Sequence, residues 1–515
     1  MDISAPTEGL VRPLLEEGED EVEGQGNLLN EAETTMTTTE EVTFAPWYRD
    51  TRQMTAMLSN YSTSYNVVNI SLVLPILEIL HSANDEALAS CASSLLAGMI
   101  VGQLVGGALG DSFLGRLGAL RLVMLLQIIA SLGSVFLNVN GEHFYNLLAT
   151  WRFLLGVGAG GVYPLAAVLS REQGKVESNS HDEDEDKNNQ AYRVVLTFST
   201  QGLGFVTVPI VAIFLFQLTD DLNVIWKLLL GLGCVPGFIL MILQCRLYAQ
   251  ERNQNESISQ TENEIEDNEI SSGNDSEEPE EFDDDGVSSE SRLQGDGWFK
   301  SLLYEPGLVK KVLGTAGTWF FFDIIFYGNT IFQPIVVEAA FGAGEAETPI
   351  QELSEMSRRS LILTSIALPG YFVAAAMIGK RTLCLTQTPR YVMMQGFAAM
   401  AILYSYIGIN WSHLQNYPAL LIFLYGMTFF FANYGPNTTT FILPSLMYSP
   451  DNRSTWNGIS AACGKLGALA GASLFAPAAD ELGDNIVMLL CAGMSVIALI
   501  LTCFFVPKVQ YEHQS

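Results

Sequence analysis

The chain reads as an all-α membrane protein of twelve transmembrane helices in two six-helix halves. Three observations carry that reading. Apolar residues, 49% of 515, gather into runs rather than spreading along the chain. Those runs are about 20 residues long, the length that spans ~30 Å of hydrocarbon. A long acidic stretch, 247–298, leaves six of them on either side.

Taken in order, the runs are 54–80, 88–110, 117–137, 145–170, 192–217, 223–245, 308–338, 359–378, 390–409, 417–446, 455–477 and 485–506. Sliding hydropathy supports each as a span. The first, fourth, tenth and eleventh are polar for lipid-facing helices, which implies an aqueous interior to the bundle. The segments between them divide the chain into a tail at 1–50, a first half at 51–246, a linker at 247–298, a second half at 299–507 and a tail at 508–515. The first tail and the linker are rich in Glu, Asp, Ser, Thr and Asn and read as disordered. Pro13-Leu14-Leu15 resembles a dileucine sorting signal, with Leu10 where an acid is expected.

The net charge of −31 is misleading until it is located. Most acids sit in 1–45, 172–188 and 250–296, so the membrane part is close to neutral. Acidic tails exclude nucleic acid as a partner and do not dock on anionic lipid. Basic residues mark the orientation. With the N-terminus inside, Arg49, Arg52, Arg116, Arg121, Arg171, Arg246, Lys310, Lys311, Lys380 and Arg381 fall on the cytosolic side, against Lys227, Arg358 and Arg359 outside. Both termini are then cytosolic, and Asn410-Trp-Ser412 lies in an outer loop where it could accept a glycan. The residues before the first run are acidic, the wrong charge for a signal peptide. Seven cysteines form no CxxC pair and have no histidine at metal spacing, so no disulfide framework, metal or cofactor is indicated. His81, His143, His181, His413 and His513 lie in loops or tails away from any nucleophile pattern, and no enzyme constellation appears.

Chemistry concentrates in the seventh run, Thr315 to Thr330, which carries a carboxylate, Asp323, among apolar residues. A charge at the centre of a membrane helix costs ~2.5–3.5 kcal/mol or more and usually faces a cavity. Trp319, Asp323 and Tyr327 are spaced i, i+4, i+8 and share one helical stripe, which offers an indole N–H, a charge and a phenol. In the fourth run, Gly156, Gly158 and Gly161 formally match a dinucleotide fingerprint, but no strand precedes them. Small residues there predict close helix packing. Arg152 is expected near the outer end of that span.

Several blocks resemble known patterns. Gly107-Ala-Leu-Gly-Asp111-Ser-Phe-Leu-Gly115-Arg116 resembles the loop signature of the major facilitator superfamily, with one extra residue before Gly115. Gly156 to Ala167 resembles the fourth span of the plant and fungal phosphate:proton symporters, with Tyr163, Pro164 and Leu165 in place. Phe198-Ser-Thr-Gln201-Gly resembles their fifth span, the run around Trp319 and Asp323 their seventh, Phe429 to Ile442 their tenth, and Gly458 to Ala468 their eleventh. That resemblance implies a major facilitator fold, whose two halves alternate access to a central site. It also implies a phosphate pocket made of Tyr163, Gln201, Trp319, Asp323, Tyr327, Asn437 and Lys465. The residue types suit an anion that wants many donors and one counter-charge.

The implied function is transport of inorganic phosphate across a bilayer, with protons as the co-substrate of a symporter and Asp323 as the candidate proton carrier. The alternatives are transport of a small phosphorylated organic or other anion, and a phosphate-sensing membrane receptor. The plasma membrane is the expected location, a vacuolar or endosomal membrane the alternative; oligomeric state is not legible. Departures bear on coupling. Where the symporters carry aspartates in the first and fourth spans, this chain has Thr63, Asn66 and Val162, and Leu446 replaces a glutamate of the tenth. None of these titrates near neutral pH, so weakened dependence on a proton gradient is expected.

Overall fold

Asp50 starts the first helix. Its carboxylate accepts the backbone N–H groups of Arg52 and Gln53 at 3.0 and 3.1 Å, satisfying two of the donors that a helix N-terminus leaves unpaired. The computed structural model describes residues 50–81, 85–137, 142–176, 183–246, 302–341, 348–382 and 385–508, all within one compact unit. The expected tails, the linker and the motif at 13–15 lie outside these residues.

Twelve long helices follow: α1 (Thr51–His81), α2 (Asp85–Gly110), α3 (Gly115–Val135), α4 (Glu142–Val176), α5 (Glu183–Leu218), α6 (Leu222–Arg246), α7 (308–341), α8 (Pro349–Met377), α9 (Pro389–Ile409), α10 (Pro418–Met447), α11 (Arg453–Leu482) and α12 (Asp484–Phe505). Eleven of them, all but α7, are long and apolar enough to cross a membrane. The seventh run differs from a plain span. It is built as Leu308–Val312, a π-helical turn at Leu313–Gly317, and Thr318–Phe341. α10 carries a second π turn, Asn433–Asn437. Pro436 explains it: proline has no N–H to give to the ladder, and the surrounding bonds lengthen to i→i+5. The expected all-helical chain holds one exception, a hairpin pairing Arg381–Thr382 with Leu385–Thr386 between α8 and α9.

Within the first half α2 runs along α4, and within the second α7 runs along α11 and α9 along α12. The α2–α4 contact is backbone on backbone. A Cβ at Gly156 would strike the Leu95 carbonyl, and one at Gly160 would strike that of Met99. The glycine run of the fourth span is therefore packing, as expected of small residues between membrane helices. The halves meet where α2 lies on α11 and α5 on α8.

The two ends of the bundle differ. At the end bearing Asp50, the halves are tied. Asp111, in the turn after α2, accepts the backbone N–H groups of Ser454 and Thr455 at 3.2 and 2.7 Å and the Thr455 hydroxyl at 2.8 Å. It thereby caps α11, whose own N-cap Asn452 makes no side-chain cap bond. Gly115 turns the chain there with φ 63°, so that Arg116 reaches the Pro450 carbonyl at 2.9 Å and Glu172 at 3.2 Å. Burial pushes the Asp111 carboxyl up, against the pull of the Thr455 donors and Arg116. Nearby, burial also raises Glu305, but Lys311 and Ser449 outweigh it and hold its carboxyl below the ordinary range. The Glu305 tie is thus present above the usual glutamate range and is lost as pH falls through its lowered pKa. At the opposite end a cavity of about 940 Å³ opens between the halves.

The packing predicts a contrast between two glycines. Gly160→Leu drives a side chain into the α2 backbone and should cost at least the ~1–3 kcal/mol of an overpacked core. Gly493→Leu meets open space and should be tolerated. Thermal melting of the detergent-purified proteins checks this; equal melting temperatures would contradict the α2–α4 packing.

Candidate functional site

The cavity is lined by α1, α5, α7, α8 and α10, and its wall includes Phe326, Tyr327 and Asn433. Tyr327 leads directly to the charge cluster. Lys465 on α11 donates from Nζ to Asp323 Oδ2 at 2.7 Å and to Tyr327 Oη at 3.0 Å. The Trp319 indole stands beside the same carboxylate. Lys465 and Asp323 are 3% and 2% exposed, so neither ion has water to stabilise it. Two aromatic faces assist: Lys465 Nζ lies 4.4 Å from the Tyr327 ring centroid and 5.7 Å from that of Tyr163, within reach of cation–π attraction.

The sequence stripe on α7 is therefore real. Asp323 and Tyr327 turn to one partner, Lys465, and Trp319 stands beside Asp323. α11 is allowed close because Gly464 leaves room for the Trp319 ring.

A second set of polar groups joins the halves. Tyr163 on α4 donates to Gln201 Oε1 on α5 at 3.0 Å. Gln201 Nε2 donates to Tyr371 Oη on α8 at 3.3 Å. Asn437 on α10 donates from Nδ2 to Tyr371 Oη at 3.0 Å and to Asn433 Oδ1 at 2.8 Å. The structure thus brings all seven expected residues into two linked groups, Trp319, Asp323, Tyr327 and Lys465 in one, Tyr163, Gln201 and Asn437 in the other. The Tyr163 ring faces the Lys465 ammonium and connects them.

Two residues were not anticipated. Asn433 stands four before Asn437 in the same quoted block, and the i, i+4 spacing was there to be read. Tyr371 gives no such signal. It follows Pro369-Gly370 in an ordinary apolar run, and only the packing of α8 against α5 and α10 places it.

The positions where carboxylates were missing are absorbed into the first half. Thr63 donates to Gln127 Oε1 at 3.2 Å, and Asn66 Nδ2 donates to the Ser62 and Gly233 carbonyls at 3.0 and 2.8 Å. Val162 is fully buried among Leu120, Val123 and Leu165. Arg152, on the Glu142 side of α4, is 0% exposed and donates to Asn69 Oδ1 and the Asn66 carbonyl at 3.2 and 3.0 Å. The buried acids among the described residues are Asp50, Glu305 and Asp323. Asp323 is the one within this cluster.

Comparison with known proteins places the fold. Residues 54–443 match the family model of the Major Facilitator Superfamily, and 386–513 match that of the "Sugar (and other) transporter" family. Among curated relatives, inorganic phosphate transporter PT2 of Toxoplasma gondii is 28% identical, covering 88% of this chain and 71% of its own. Probable inorganic phosphate transporter 1-6 of Arabidopsis thaliana is 26% identical, covering 93% and 95%. Low affinity inorganic phosphate transporter 1 of Petunia hybrida is 29% identical, covering 84% and 83%. Among solved structures, the proton:xylose symporter XylE bound to a bromodeoxyglucose superposes with a TM-score of 0.60 at 16% identity, covering 89% of this chain and 96% of that one. An inward open XylE from E. coli gives 0.58 at 17% identity, covering 89% and 97%. At such identities the likeness is one of fold.

The ion pair itself can be tested through stability. Lys465→Met leaves a buried carboxylate without its cation and should cost ~3–5 kcal/mol. Adding Asp323→Asn removes the orphaned charge and should restore most of that loss. A double variant melting no higher than Lys465→Met alone would show that the two residues are not paired.

Proposed function

The chain belongs to the Major Facilitator Superfamily, and we propose that it carries inorganic phosphate across a membrane by alternating access to the Lys465–Asp323 cluster. One observation carries the reading most: a lysine, buried and ringed by hydroxyl and amide groups from both halves, adjoins a cavity open at one end. The relatives named as inorganic phosphate transporters supply the substrate class, and the donor set suits an oxyanion.

In this reading phosphate enters from the cavity past Tyr327 and Asn433. It competes with Asp323 for Lys465, because in a medium of low dielectric the ammonium is the strongest donor available. The remaining groups, from α4, α5, α7, α8 and α10, draw the halves together around it. The ties at the other end, Asp111 to α11 and Arg116 to Pro450, then part and open the cluster to the opposite side. Residues 51–246 and 299–507 are the two moving halves, 247–298 their connection, and the Asp50 end faces the cytosol, by the distribution of basic residues.

Proton coupling rests on Asp323. Displacing Lys465 from Asp323 removes the cation that keeps it ionised, so phosphate binding and protonation favour each other. No acid at Thr63, Asn66 or Val162 relays the proton. The coupling is therefore weak, and net movement approaches uniport.

Two measurements check this. Lys465→Ala and Asn437→Ala should each weaken phosphate binding about tenfold or more, the effect of losing one hydrogen bond to a buried anion, ~1.5–3 kcal/mol; unchanged affinity in both would sink the pocket. Labelled phosphate flux into proteoliposomes, with phosphate speciation held constant at the entry face, should depend little on an imposed pH gradient. Absence of flux would point to a sensor, and strong uphill accumulation would reject the weak coupling.

A further inference from the structure

Tyr371 takes two hydrogen bonds and returns none. A phenol has one O–H and two lone pairs. The Tyr371 oxygen accepts Gln201 Nε2 from one half and Asn437 Nδ2 from the other, so its own O–H is left to donate. No described residue accepts it. The same bonds decide what Asn437 can offer. Both of its N–H groups are engaged, by Tyr371 and by Asn433 Oδ1, and the atom that remains open is its carbonyl oxygen. The position of Tyr371 is built. A Cβ at Gly202 would strike its ring, and one at the adjacent Gly370 would strike the Phe430 carbonyl and keep α8 away from the π turn of α10. Its ring packs on Phe198, centroids 5.7 Å apart, and the residue is 1% exposed.

We propose that Tyr371 binds the transported anion directly through its O–H and, by holding the Asn437 amide with its oxygen free, makes the site select a protonated oxyanion, dihydrogen phosphate over sulfate. This rests on the phosphate reading above. A site presenting an acceptor at Asn437 Oδ1 bonds to a P–OH group and repels an unprotonated oxygen. Sulfate carries no proton near neutral pH and leaves that acceptor unpaired, the arrangement that discriminates most strongly between analogues. Donors for the unprotonated oxygens are the Tyr371 O–H, the Tyr327 O–H and Lys465. The ionisable groups that face Tyr371 are Tyr163 from α4 and Tyr327 from α7, with Asp323 and Lys465 beyond Tyr327.

The test is equilibrium binding of labelled phosphate to the purified full chain, with sulfate as competitor, in the wild type and in Tyr371→Phe. The variant keeps the ring and its packing. Its phosphate affinity should fall about tenfold, as for loss of one hydrogen bond to a charged group. Sulfate competition should stay level or improve, so that the preference for phosphate drops, with the melting temperature unchanged. In the wild type, affinity should follow the monoanion fraction as pH rises through the second ionisation of phosphate. Equal affinity and equal sulfate exclusion in the variant would overturn the proposal, as would parallel loss for both anions, which would show that Tyr371 does not set the preference for phosphate. Wild-type affinity that ignores phosphate ionisation would overturn it without any variant. A wild type that binds no phosphate would bring down the phosphate reading, and this inference with it.

Discussion

A lysine and an aspartate 2.7 Å apart, each almost wholly removed from solvent, set the constraint around which the bundle is arranged. Neither ion is tolerable alone in a membrane interior, and together they remain costly unless further donors and acceptors complete them. Trp319, Tyr327 and two aromatic faces do so. To bring them together α7 and α11 must run in close contact, and Gly467 and Gly471 let α11 approach the α7 backbone at Phe320 and Ile324. A pair held this way is also easily challenged. In the proposed reading, an entering anion offers Lys465 a second partner.

The seam that closes the Asp50 end combines tight backbones with unfinished polar bonding. Gly107 and Gly458 bring α2 and α11 together, and Asp111 caps the helix end that Asn452 leaves open. The Gln103 and Asn457 side chains are buried on these two helices with no partner among the described residues. At the opposite end the cavity opens between the halves.

The first half keeps hydrogen bonds where the resemblance led carboxylates to be expected. Thr63 and Asn66 tie α1 to α3 and α6, and Val162 is packed in apolar surroundings. Arg152 finds a carbonyl and an amide instead of an acid. These contacts leave Asp323 as the buried carboxylate of the central cluster among the described residues.

The number of long helices, the six-plus-six division and the stripe of Trp319, Asp323 and Tyr327 were legible in the sequence. They follow from periodicity and from the cost of charge in hydrocarbon, both local properties. Resemblance named Tyr163, Gln201, Asn437 and Lys465, which no spacing along the chain relates to one another. Tertiary structure decided the rest. It buried Arg152, because its acceptors come from α1. It turned Asp111 across to cap a helix 343 residues away. It also brought in Tyr371, an unremarkable tyrosine in an apolar run, because packing between α5, α8 and α10 determines which side chain stands between two amides. Hydrogen-bond partners across helices depend on how glycines let the backbones meet, and that is a property of pairs of helices, invisible in either one alone.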